Sequence, residues 1–219
     1  MDSCPPHTPS ALLPAADITG MVLAGGRGSR MGGVDKGLQA FLGQPLALHA
    51  LQRLQPQVGT CMLNANRHLE VYQGFHVPVH PDMLPDYAGP LAGFLTGLTH
   101  CTTPWLLTVP CDSPRFPRDL AARMAATAVR EHAQIVLAAG PEAGRDGALQ
   151  LRPQPVFALL HRSLLPSLQD FVQQGGRKID AWTAQHAQAL CHFDAAGDDV
   201  HAFANANTLQ ELRLLEDSA

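Results

Sequence analysis

The sequence predicts an α/β fold in which a mostly parallel sheet carries helices on both faces. Three observations predict it. Short apolar runs of strand length alternate with helix-length segments over most of the chain. With 219 residues, 46% of them hydrophobic, the chain has the core material of one α/β domain and too little length for two ordinary ones. A long glycine-rich loop follows the first strand, at the edge of such sheets where ligands bind.

The elements follow in order. Residues 1–17 hold Pro5, Pro6, Pro9 and Pro14 and read as a disordered leader. Residues 18–23 are an apolar run before glycines, a buried strand. Residues 24–37 form the glycine-rich loop. Pro45 suits a helix start, and Leu46, Leu48, Leu51 and Leu54 continue at helical spacing. Residues 60–63 read as a strand ending in Asn64-Ala65-Asn66-Arg67, and residues 77–80 as a third strand ending at Asp82. A helix with one apolar face is expected over 90–98. The strongly apolar strand 105–109 stops at Pro110-Cys111-Asp112. An alanine-rich helix over 117–129, strands over 135–139 and 156–160, and a helix over 164–172 come next. Thr208 and Glu211 form a capping box for a last helix over 209–215.

Composition excludes several function classes. Basic minus acidic residues give 15 − 19 = −4, the wrong sign for a non-specific nucleic-acid binder. No apolar run approaches the roughly 18 residues needed to cross a bilayer, and residues 1–17 lack a basic stretch followed by an apolar one, so no secretory signal is expected. Five scattered cysteines, Cys4, Cys61, Cys101, Cys111 and Cys191, form no C-x-x-C pair, which argues against disulfides or zinc and for a reducing cytoplasm. The 11 histidines show no metal-ligand spacing. Lys36 and Lys178 are the only lysines, so an anionic substrate must be held by a few placed residues.

The loop reads Leu23-Ala24-Gly25-Gly26-Arg27-Gly28-Ser29-Arg30-Met31-Gly32-Gly33-Val34-Asp35-Lys36. Its glycines permit sharp bends and close backbone approach, its N–H groups can cradle phosphate, and Arg30 and Lys36 add positive charge. It is not a P-loop, because Lys36 is followed by Gly37 and not by Ser or Thr. It is not the dinucleotide fingerprint, because Met31 stands at the last glycine. A plain surface loop is the remaining alternative. Farther on, a carboxylate such as Asp112 at the end of a buried strand needs its charge compensated; Mg²⁺ can do so, and so can simple turn capping.

The loop resembles the nucleotidyltransferase pattern L-A-[AG]-G-x-x-x-R-M-G-x-x-K, through Leu23, Gly25, Arg30, Met31, Gly32 and Lys36. The second glycine and Asp35 make it similar to the molybdenum cofactor guanylyltransferase branch. That resemblance implies a three-layer Rossmann-like nucleotidyltransferase fold over residues 18–219, nucleotide-binding in its N-terminal part and pterin-binding in its C-terminal part. It implies nucleotide contacts at Leu23, Ala24, Gly25, Gly26, Lys36, Asn64, Asp82 and Asp112. Asn64 is the first Asn of an N-x-N-R segment, and its amide can donate to and accept from a purine edge. Pro110-Cys111-Asp112-Ser113-Pro114 resembles the metal motif and makes Asp112 the Mg²⁺ ligand. Gly176-Arg177-Lys178 and Phe203-Ala204-Asn205-Ala206-Asn207-Thr208 resemble the pterin-side segments, which implies acceptor contacts at Arg177, Lys178, Asn205 and Asn207.

The reaction implied is transfer of GMP from GTP to the phosphate of molybdopterin, or of its molybdenum-bearing form, with Arg30, Lys36 and Asp112 as the catalytic residues. A cofactor-insertion chaperone or a molybdoenzyme would receive the product; no nucleic-acid or membrane partner is expected. Two alternatives stay open: a CTP- or sugar-phosphate-specific nucleotidyltransferase, and a non-catalytic nucleotide sensor on the same fold.

Overall fold

The computed structural model describes residues 13–25, 35–84, 89–144, 148–206 and 209–217. Its main sheet has seven strands: β1 (Ile18–Leu23), β4 (Thr60–Asn64), β5 (Val79–His80), β6 (Trp105–Pro110), β7 (Ile135–Ala143), β8 (Leu149–His161) and β9 (Gln188–His192). Two further strands, β2 (Ala40–Phe41) and β3 (Gln44–Pro45), form a small separate hairpin. The order across the main sheet is β5-β4-β1-β6-β8-β7-β9. Four of its six pairings are parallel, and both antiparallel ones involve β8. This is the mostly parallel sheet that the alternating pattern predicts.

β1 sits between β4 and β6 and is almost wholly buried because both faces are covered, with Thr19 its one polar side chain. On one face lie α1 (Leu46–Leu54) and α4 (Leu120–Arg130), whose leucines, alanines and Met124 pack with Val22, Leu63 and Leu107. On the other lie α3 (Pro90–His100), α5 (Leu165–Gln173) and α6 (Ile179–Thr183), packed with Met21, Met62 and Leu106. Short α2 (Leu69–Gln73) follows β4, and α7 (Leu209–Asp217) comes last.

Four expectations change. Residues 13–17 are ordered: Ala15–Asp17 form a 3-10 turn against Gly59, where an added Cβ would meet the Ala16 backbone at 2.8 Å. Residues 1–12 of the expected leader lie outside the described residues. α3 is buried from Leu91 through Leu98, not on one face only, because the sheet and α5 cover it from two sides. The alanine-rich helix starts at Leu120 and not at 117, since Pro117 stands in the preceding turn. β8 is far longer than 156–160. Pro153 and Pro155 argue against a strand there, but this stretch pairs with β7 on one side only, while β6 reaches only Ala158 to His161, so a missing N–H is tolerated. Thr208 of the expected capping box lies outside the described residues.

Candidate functional site

Three strands end side by side and carry the chain into the same crevice. Beyond the end of β1, the Ala24 N–H donates to the Asn64 carbonyl at 2.8 Å. Beyond β6, the Cys111 N–H donates to the Leu23 carbonyl at 3.1 Å. Gly25, Asn64 and Asp112 therefore lie at one edge of the sheet, the carboxyl edge of its parallel strands.

On the β4–β5 side, three polar residues lock together. Asn64 Nδ2 donates to the His80 carbonyl at 3.1 Å and to Asp82 Oδ1 at 2.9 Å. Asn66 Nδ2 donates to Asp82 Oδ2 at 2.7 Å and to the Gly25 carbonyl at 3.0 Å, while the Asp82 N–H donates to Asn66 Oδ1 at 2.7 Å. Both oxygens of Asp82 thus accept amide protons. Gly25 has no room for a side chain: a Cβ there would stand 2.9 Å from Asn64 Oδ1 and from Asn66 Nδ2. Asn64, expected as a nucleotide contact whose amide can donate and accept, is held here by partners within the protein. Asn64 is 3% exposed and both its N–H protons are committed within the protein, so in this arrangement it braces Asp82 and Gly25.

At the centre, Lys36 Nζ donates to Asp112 Oδ2 at 2.8 Å. Lys36 opens a 3-10 turn (Lys36–Leu38) capped by Asp35, whose Oδ1 accepts from the Gly37 N–H at 3.1 Å and from the Tyr72 hydroxyl at 2.7 Å. Burial first, and then the Asp35 hydrogen bond, push the Tyr72 phenol well above its ordinary range, so it stays protonated and a donor. Cys111 is buried, and burial pushes its thiol up, so it is a packing residue and not a nucleophile.

From the C-terminal side, the segment after β9 returns to the same edge. The Ala206 N–H donates to the Asp112 carbonyl at 2.8 Å, and the buried Ser113 hydroxyl donates to Asn205 Oδ1. This strap is tied to α4: Arg123 grips both Asp198 oxygens, at 2.7 and 3.1 Å, and its guanidinium lies 4.0 Å from the centroid of the Phe193 ring. The Arg123 partner holds the Asp198 carboxyl below the usual range. Arg115 adds an ion pair to Asp199 at 3.1 Å. Phe203 packs edge-on to Phe157 and Phe193 beneath the strap.

The structure thus brings Leu23, Ala24, Gly25, Lys36, Asn64, Asp82, Asp112 and Asn205 to one edge. Arg177 and Lys178 are exposed in the turn between α5 and α6. Gly26, Arg30 and Asn207 lie outside the described residues. Sequence reasoning missed Ser113, Tyr72 and Gly37 as supports of the site. Tyr72 gives no local signal, because its partner lies 37 positions earlier.

A family model described as the MobA-like NTP transferase domain matches residues 20–190. The chain belongs to the MobA-like NTP transferase family. Curated relatives named molybdenum cofactor guanylyltransferase include one from Acidovorax sp. (strain JS42), 67% identical and covering 94% of this chain and 98% of its own. One from Bordetella petrii is 57% identical, over 93% of this chain and all of its own. Among solved structures, molybdopterin-guanine dinucleotide biosynthesis protein A from Archaeoglobus fulgidus superposes with a TM-score of 0.72 at 19% identity, over 91% of this chain and 97% of that one. 4-Diphosphocytidyl-2C-methyl-D-erythritol synthase from Anaerococcus prevotii gives 0.67 at 11% identity, over 92% and 97%. At those identities the likeness is one of fold, which is shared with enzymes of a different nucleotide.

This MobA-like edge also bears on a metal. Among the described residues, no group of three or more His, Cys, Asp or Glu side chains could hold an ion. A single carboxylate is nevertheless compatible with an ion such as Mg²⁺, which keeps waters and takes phosphate oxygens. Asp112 is such a carboxylate.

Proposed function

We propose that this chain transfers the GMP unit of GTP to the terminal phosphate of molybdopterin, or of its molybdenum-bearing form, in the cytoplasm. A phosphate oxygen of the pterin attacks the α-phosphorus, a new P–O–P link forms, and the bond to the β-phosphate breaks to release pyrophosphate. The acceptor is a phosphate monoester already ionised near neutral pH, so no general base is required. Such transfers depend on in-line positioning and charge neutralisation.

The observation that carries this reading is the Lys36–Asp112 pair, 2.8 Å apart at the same sheet edge as Gly25 and the Asn205 strap. Lys36 holds the triphosphate and, with Arg30, stabilises charge on the departing pyrophosphate. The Leu23 to Gly26 backbone approaches the nucleotide, and the Asn64–Asn66–Asp82 lock keeps Gly25 in place. Arg177, Lys178, Asn205 and Asn207 hold the pterin and its phosphate. Asp112 would hold Mg²⁺, which supplies Lewis-acid polarisation of phosphate oxygens. The N-terminal part of the chain then serves the nucleotide and the C-terminal part the acceptor. A cofactor-insertion chaperone or a molybdoenzyme takes the dinucleotide product.

Pyrophosphate release with purified chain, Mg²⁺ and molybdopterin tests the reading. GTP is expected to support release that depends on the pterin. Faster release with CTP or UTP, or nucleotide binding without any release, would contradict it.

A further inference from the structure

We infer that Tyr72, acting through Asp35, is a positioning residue for Lys36; this rests on the phosphate role proposed for that lysine. Lys36 lies between two residues that face the interior. Asp35 is 7% exposed, and its Oδ1 receives the Tyr72 hydroxyl at 2.7 Å and the Gly37 N–H at 3.1 Å. A buried carboxylate is tolerated only with such partners, and once so bonded it is fixed in place. Gly37 closes the other side. A Cβ there would collide with the phenol oxygen and would press on Ala24 and Ala47 at 3.2 and 3.3 Å. Tyr72 is itself fully buried, its ring edge-on to Phe75 with centroids 5.7 Å apart.

One phenol therefore holds the residues on both sides of Lys36, through a hydrogen bond to the Asp35 carboxylate and direct packing at Gly37. The lysine side chain reaches Asp112 Oδ2 at 2.8 Å. A long flexible side chain becomes a precise electrostatic group only if its backbone origin is fixed, and Tyr72 supplies that fixation from a helix outside the glycine-rich loop. Tyr72 touches no substrate in this account. It acts only through Lys36, so its effect must vanish when Lys36 is removed.

A double-mutant cycle on the full chain reads this directly, with pyrophosphate release from GTP and molybdopterin as the assay and thermal unfolding as a control. Tyr72→Phe is expected to lower kcat about tenfold in a folded protein. In the Lys36→Ala background the same change is expected to alter kcat by less than about twofold, the signature of residues acting as a unit. Equal losses in both backgrounds, or wild-type kcat for Tyr72→Phe beside a crippled Lys36→Ala, would overturn the inference. Wild-type turnover of Lys36→Ala itself would instead overturn the phosphate role, and the inference with it. If Tyr72→Phe fails to fold, Asp35→Ala replaces it in the cycle, because it removes the acceptor and the buried charge together; additive losses there overturn the inference equally.

Discussion

The two halves of the sheet hold their site residues by different means. In the parallel half, Gly25, Asn64, Asp82 and Asp112 each stand at a strand end or two residues past it, so the sheet backbone itself sets their positions. In the C-terminal half, Asn205 comes 13 residues after β9 ends. It reaches the same edge only because a strap is held by Arg123, Arg115 and an aromatic cluster. The two lysines repeat the contrast: Lys36 is clamped and paired, whereas Lys178 is exposed in a turn. The lesson is that one half presents a preformed site and the other delivers its residues on loops. On the division proposed above, the acceptor side can then be loosened while the nucleotide side stays intact.

The largest expected effect lies where the halves meet. Asp112→Ala should cut Mg²⁺-dependent turnover by about 10²–10³, the usual result of removing one transition-state contact; steady-state pyrophosphate release measures it. Near-normal turnover would remove Asp112 from the centre of both halves. Lys36→Ala should come close behind, with the loss in kcat more than in the pterin KM.

A smaller effect separates the halves. Arg123→Ala removes a two-pronged carboxylate grip and the contact over Phe193. It should lower stability by about 1–2 kcal/mol, given that the pair is part-exposed. In activity it should raise the pterin KM while leaving GTP affinity by calorimetry within about twofold; an equal loss of GTP affinity would show that the strap serves both substrates. Acid dependence sharpens the same point. Asp198 has its folded pKa depressed, so the stability it contributes is present above the ordinary value of 3.8 and is lost as pH falls below it. Wild type should lose this contribution at acid pH, and Arg123→Ala should show little of it.

The smallest effect belongs to the parallel half. His80, whose carbonyl anchors Asn64, stacks on His100 at 3.8 Å. Burial first, and then His100, lower its pKa below 6.5. The unfolded chain therefore binds protons that the folded one does not, so this contribution is full above pH 6.5 and is lost as pH falls through that value. Tm should drop from pH 8 to pH 5.5, and His100→Asn should reduce the drop; an unchanged drop would assign it to other groups.

Legibility in the sequence follows the same division. β1, β4 and β6 are apolar because both faces are covered, and their glycine and Asp punctuation is local, so the strands and the residues at their ends could be read directly. What stayed hidden depends on distant partners. The first half of β8 contains prolines that a local reading rejects, and only its one-sided pairing with β7 admits them. β9 and α6, at five residues each, are too short for a period to register. Tyr72 looks like an ordinary core residue until Asp35 is folded against it. The commitment of the Asn64 protons is set by the His80 carbonyl on β5 and by Asp82 just past it, which sequence spacing alone does not show.

The claim that the halves serve different substrates is tested most directly by Lys178→Ala, with GTP and molybdopterin each varied in the pyrophosphate assay. About a tenfold rise in the molybdopterin KM is expected, from the loss of one charged contact, with the GTP KM within about twofold of wild type. A rise in the GTP KM with the pterin KM unchanged would reverse the division and contradict it.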